Sequence, residues 1–109
     1  MAEKEGYIVV LMTCPSELEA QEIAKALVER RKAACVGIFP KGESFFWWAG
    51  RIDRAEEFLV IAKSHKNLLD ELTQVVKGIH SYDVPEIVAL PITGGNPDYL
   101  DWLERELRA

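Results

Sequence analysis

The sequence predicts a single α+β domain over residues 1–109: a four-stranded antiparallel sheet, two helices on one face and an extra C-terminal helix. Three observations predict it. Apolar runs of strand length alternate with apolar stripes at helical spacing, in the order β-α-β-β-α-β-α. Capping residues, glycine or proline bound each run. A chain of 109 residues can bury one core but not two.

Tyr7 to Thr13 (YIVVLMT) is nearly all apolar and lies between Gly6 and Pro15, so it reads as a strand buried on both faces. Ser16 and Glu19 have the S-x-x-E spacing of a capping box, and Glu17 and Glu19 suit the positive end of a helix dipole. Ala20, Ile23, Ala24, Leu27 and Val28 form that helix's apolar stripe, and Arg30, Arg31 and Lys32 stop it. Ala33 to Phe39 is a second strand, which Pro40 and Gly42 interrupt as a bulge or loop would. Ser44 to Trp48 resumes with Phe45, Phe46, Trp47 and Trp48, Ala49-Gly50 turns the chain, and Arg51 to Ser64 returns as a long third strand. Asn67 reads as the cap of a second helix with Leu69, Leu72, Val76 and Ile79 as its stripe and Gly78 as its C-terminal cap. Glu86 to Leu90 is the fourth strand. Asn96-Pro97 starts the last helix, lined by Tyr99, Leu100, Leu103 and Leu107. The first six elements match the split-βαβ, ferredoxin-like arrangement, whose right-handed crossovers give the strand order four-one-three-two.

Two helices cover only one face of such a sheet, yet strands one, three and four are apolar on both. The third strand would also extend about 45 Å, against a domain diameter of about 34 Å, so the aromatic hairpin overhangs. Both features predict a closed homo-oligomer; the alternative is that the last helix covers much of the second face.

Thirteen basic and 18 acidic residues leave a formal charge of −5, which disfavours nucleic acid and anionic membranes and mildly favours cations. No apolar run approaches the ~20 residues of a membrane span. The start, Met1 to Gly6, lacks the pattern of a secretory leader, and two cysteines without a leader point to reduced thiols in a cytoplasm.

Cys14 and Cys35 lack zinc-type spacing, and the strand order keeps them apart. Cys14, at a strand end beside a helix start, reads as a small buried hydrophobe or as a thiolate of lowered pKa. His80 reads as a turn residue or a metal ligand, and His65 as solvated. Neighbouring strand residues point to opposite faces, so of Trp47 and Trp48 one can pack while the other lines a pocket. Lys63, Tyr82, Asp83 and Glu86, with Trp48, form the candidate ligand cleft; an ion pair at a subunit boundary is the competing reading. No nucleophile has an orienting base and no P-loop is present, so no enzymatic activity is expected.

Thr13-Cys14-Pro15, Ala33-Ala34-Cys35-Val36, Trp47-Trp48-Ala49-Gly50-Arg51-Ile52, Lys63, His80-Ser81-Tyr82-Asp83-Val84-Pro85-Glu86-Ile87 and Tyr99-Leu100-Asp101-Trp102-Leu103 appear in the order of the CutA family, the divalent-cation tolerance proteins, which the chain resembles over residues 7–108. The resemblance implies a ferredoxin-like fold, a tight homotrimer whose shape is like that of PII signalling proteins, a link to heavy-metal tolerance, copper binding in some members, and no established enzymatic activity. Members with an assigned copper site carry cysteine where Met12 stands and two adjacent histidines where Ile79 and His80 stand. The implied metal set here is His80 with sulfur from Met12 or Cys14, for copper or another divalent cation, with no obligatory cofactor. The PII likeness implies an alternative: a sensor that binds a small anionic metabolite or nucleotide between subunits.

Overall fold

Alternation along β1 (Tyr7–Cys14) sends Ile8, Val10, Met12 and Cys14 to one face, where all are buried. They meet Ala20, Ile23 and Leu27 from α1 (Glu17–Glu29) and Leu72 and Val76 from α2 (Leu69–Ile79). Val60 and Ala62 of β3 (Arg51–His65) complete the core. Each fully buried aliphatic side chain contributes roughly 1.5–3 kcal/mol. The computed structural model describes residues 5–109; Met1 to Lys4, and with them most of the segment read as lacking a leader, lie outside the described residues. The remaining elements are β2 (Cys35–Trp48), a 3₁₀ turn (Lys66–Leu68), β4 (Ile87–Pro91) and α3 (Pro97–Glu106). The sheet is antiparallel in the order β2-β3-β1-β4, as the sequence predicts. No helix among the described residues is long and apolar enough to cross a membrane.

The hairpin turn has Ala49 at φ 51° and Gly50 at φ 78°, the two left-handed residues that a tight right-twisted hairpin requires. The arm behind it makes the molecule 46 Å long but only 25 by 23 Å across. Phe39 pairs with Leu59 and Gly42 with Glu57, so β2 gains one residue on β3 between them. That bulge inverts the face parity of β2. Beyond it Ser44, Phe46 and Trp48 lie on the sheet face opposite the helices, and Trp47 lies on the other.

The helix-free face carries Val9, Leu11, Leu59, Val88 and Leu90, of which Val88 and Leu90 are 48% exposed. α3 crosses only one end of it, where the Tyr99 hydroxyl lies 3.4 Å from Cys35 Sγ. The rest of that aliphatic face is uncovered within one chain.

Three local expectations are corrected. His65 is fully buried rather than solvated. Its Nδ1 accepts the Asn67 N–H at 3.1 Å, so the histidine caps the turn in place of Asn67, and its Nε2 lies 3.0 Å from the Glu5 carbonyl. Gly6, at φ 96°, makes room for the ring: a Cβ there would stand 2.6 Å from His65 Nε2. Gly78 lies inside α2, which ends instead at an extended His80 whose N–H bonds Val76 O at 2.8 Å. The His80 ring, tied to β1, sets the direction in which the chain leaves the helix.

Candidate functional site

β1 ends at Cys14 while its neighbour β3 runs on toward the hairpin, so the sheet has a notch at this corner. Two chemically distinct arrangements flank it, one on each side of β1.

On the helix side, donor atoms of Cys14, Glu19 and His80 lie within 4.8 Å of one another. Each is aimed there by local structure. Cys14 is the last inward residue of β1 and is fully buried. Ser16 caps α1 by accepting the Glu19 N–H at 3.2 Å, which sets Glu19 on the first turn facing back over β1. The Glu19 carboxylate does not complete a capping box; it accepts the Ser81 N–H at 3.2 Å and lies 3.3 Å from His80 Nδ1. His80 Nε2 lies 2.7 Å from the Thr13 carbonyl, and Nδ1 accepts the Tyr82 N–H at 3.1 Å. The Thr13 carbonyl thus engages Nε2, while Nδ1, the acceptor for the Tyr82 N–H, is the ring nitrogen on the side of the trio. Burial pushes the Cys14 thiol up from 9.0 to about 11, with Glu19 and Glu57 adding to it. The lowered pKa considered for Cys14 is therefore reversed: at neutral pH it is a thiol, the opposite of an activated nucleophile.

The structure thus brings together two of the three metal candidates, His80 and Cys14. Met12 is fully buried in the core cluster, two residues back on the same face of β1. Glu19 is the member that sequence reasoning missed, because its spacing from Ser16 had already accounted for it as a cap. The added signal was available only from the tertiary approach of the His80 turn.

On the opposite side lies a groove of about 730 Å³. Trp48, Tyr82, Asp83 and Glu86 line it together with Asp53 and Glu57. The Tyr82 hydroxyl donates to Glu57 Oε2 at 2.9 Å. Burial and the Glu57 carboxylate push the Tyr82 phenol up from 10.0 to about 12, so it remains a donor. Lys63 is not in this groove, which corrects the five-residue cleft. It pairs with Val9 and Cys35 toward the far end of the sheet, with Nζ 3.8 Å from Cys35 Sγ and 5.8 Å from the centre of the Tyr99 ring. There burial pulls its amine down, but Cys35 and Tyr99 outweigh burial and the net shift is upward. The sequence placed Lys63 at the end of an apolar run but could not say which end of the sheet that run occupies. Both cysteines are free, Cys14 buried and Cys35 half-buried.

The described geometry has close counterparts. The profile of the CutA1 divalent ion tolerance protein family matches residues 8–106. The chain is 52% identical over 95 residues to the divalent-cation tolerance protein CutA of Thermus thermophilus, covering 87% of this chain and 92% of that protein. It is 46% identical over 101 residues to the chloroplastic protein CutA 1 of Oryza sativa, covering 93% of this chain and 57% of the rice protein. Against the mouse protein CutA it spans 62% of the relative's length, so it falls short of two-thirds of these two longer relatives. The crystal structure of CutA1 from Oryza sativa superposes with a TM-score of 0.93 at 43% identity, covering 97% of this chain and 98% of that one. By profile, sequence and fold together, the chain belongs to the CutA1 divalent ion tolerance family.

Proposed function

We propose that the protein is a non-enzymatic, homotrimeric cation-tolerance protein that takes up a copper or related divalent ion at Cys14, Glu19 and His80. The observation that carries this reading is the convergence of a thiol, a carboxylate and an imidazole within 4.8 Å at the end of β1. Sulfur and imidazole suit copper or zinc rather than calcium or magnesium. The Nε2 bond of His80 to the Thr13 carbonyl is the outer support that orients a histidine ligand, leaving Nδ1 as the binding atom. Two features keep affinity modest. His80 must release the Tyr82 N–H, and three protein ligands are one fewer than a closed structural site has. Cys14 must also lose its proton, so affinity should rise about tenfold per pH unit below the thiol pKa.

The trimer is supported by the uncovered aliphatic sheet face and by the hairpin arm, where Phe45, Trp47 and Ile52 are 67%, 72% and 64% exposed. Two free thiols fit a reducing compartment, which we take to be the cytoplasm. The anion-sensing alternative finds no support in the groove, whose lining holds Asp53, Glu57, Asp83 and Glu86 and no basic residue. Calorimetric titration with Cu(II), Cu(I) and Zn(II), beside a light-scattering mass, tests the reading. We expect binding tighter than millimolar and a mass of roughly three times 12.3 kDa. A stable monomer, or no binding by any of the three ions, would overturn it.

A further inference from the structure

Both ring nitrogens of His80 are already engaged: Nε2 lies against the Thr13 carbonyl, and Nδ1 accepts the Tyr82 N–H. The Glu19 carboxylate is engaged as well, by the Ser81 N–H. Consecutive backbone N–H groups of one turn therefore occupy two of the three candidate ligands. An ion cannot share the single Nδ1 lone pair with an N–H. What holds that turn in place decides how readily the site opens.

Residues 81–86 link α2 to β4 without regular secondary structure. Among the described residues, the hydrogen bonds that hold 81–85 are those two N–H bonds and a third, from the Tyr82 hydroxyl to Glu57 Oε2 at 2.9 Å. The third is the anchor. Glu57 belongs to the regular ladder of β3, where it pairs with Gly42, and it is buried. A hydrogen bond to a carboxylate held out of water is stronger than one between neutral groups. The Tyr82 ring also lies against the His80 ring, with 4.8 Å between centres. All of these contacts are within one chain, so the arrangement is complete without a second copy.

We propose that the Ser81–Tyr82 turn is a latch over the metal trio, locked by the Tyr82–Glu57 hydrogen bond, so that Tyr82 and Glu57 act as positioning residues that set metal affinity. The proposal rests on the metal reading above. Moving the Tyr82 N–H off Nδ1 shifts the residue that carries the phenol, so opening the site breaks the bond to Glu57. The apparent affinity of such a site is its intrinsic affinity reduced by the fraction of time that it stands open. Weakening the lock therefore tightens metal binding. A turn that merely supports the His80 ring predicts the opposite sign, because loosening it would disorder a ligand.

Calorimetric zinc titration of the intact wild type and Tyr82→Phe, with residue-resolved amide hydrogen exchange by NMR, provides the test. Phenylalanine keeps the ring against His80 and removes only the hydroxyl. We expect Tyr82→Phe to bind zinc about fivefold to tenfold more tightly and to exchange the Ser81 and Tyr82 amides faster without metal. In the wild type, zinc should speed exchange at the Tyr82 amide. Glu57→Gln keeps the side-chain volume and an acceptor for the phenol, so exchange at the same two amides should rise by less. Its zinc affinity is not compared, because it also removes a negative charge near Cys14. Zinc affinity unchanged or weakened in Tyr82→Phe, or a Tyr82 amide that zinc protects further, would overturn the latch. Zinc bound by neither protein, with exchange faster in Tyr82→Phe, would instead overturn the metal reading and leave the lock on the turn standing.

Discussion

The two histidines sit in the same local device at opposite ends of β1. His65 ends β3 and His80 follows α2, and each accepts, through Nδ1, the N–H two residues on: Asn67 for His65 and Tyr82 for His80, both at 3.1 Å. Each reaches a backbone carbonyl through Nε2, that of Glu5 for His65 and that of Thr13 for His80. What differs is the surroundings. His65 packs against Gly6 and meets the edge of the Tyr7 ring at 5.4 Å. His80 faces the carboxylate of Glu19 and the thiol of Cys14. The same backbone-holding device therefore caps the turn at one corner and, in the proposed metal site, orients a ligand at the other. A turn histidine is not functional or structural by its own hydrogen bonds; the groups facing its lone pair decide.

The sharpest way to break this comparison is to remove each ring in turn. His65→Ala should cost about 3 kcal/mol of stability, through a lost cap and an unfilled buried site, and leave zinc binding unchanged. His80→Ala should cost about 2 kcal/mol and abolish zinc binding. Denaturant unfolding with parallel zinc titration reads both, and equal loss of zinc in the two variants would erase the distinction. Glu19→Gln should lower zinc affinity about tenfold while the Ser16 cap keeps α1 in place.

Alkaline pH separates the corners by a second route. The Cys14 thiol and the Tyr82 phenol are both held protonated by the fold, at about 11 and about 12. The unfolded chain loses these protons first as pH rises, so the stability they provide is full below pH 9 and drains between about pH 9 and 12. Melting temperature should fall over that range, and Cys14→Ser should flatten the early part of the fall while His65→Ala does not. The smallest expected effect is that of Ser16→Ala. It should cost about 1 kcal/mol as a lost cap and leave zinc affinity within a factor of about two, which separates the capping role of Ser16 from the proposed ligand role of Glu19.

The elements and the strand order were readable from the sequence because hydrophobic period, caps and crossover handedness agree along the whole chain. The bulge at Pro40–Gly42 was readable as an interruption, but not which tryptophan it would turn into the groove. One inserted residue inverts the parity of everything after it. The burial of His65 is not legible because a polar residue at a strand end looks solvated until the segment that covers it, at Gly6, is seen, distant in sequence but adjacent in space. Lys63 was grouped with Tyr82 because both flank strands, and only the register shows that Val9 and Thr13 separate them along β1. Glu19 was legible only as the cap partner of Ser16, and Glu57 not at all, because exposed glutamates are common and only tertiary burial makes that one unusual.

Cobalt(II) titration monitored by near-ultraviolet absorption tests most directly whether the His80 corner is a metal site and the His65 corner is not. Thiolate ligation produces a charge-transfer band that oxygen and nitrogen ligands alone do not. The wild-type protein and His65→Ala should both develop the band and release a proton on binding, whereas Cys14→Ser and His80→Ala should not. A wild-type protein that shows no band, or a band that persists in Cys14→Ser, would contradict the account.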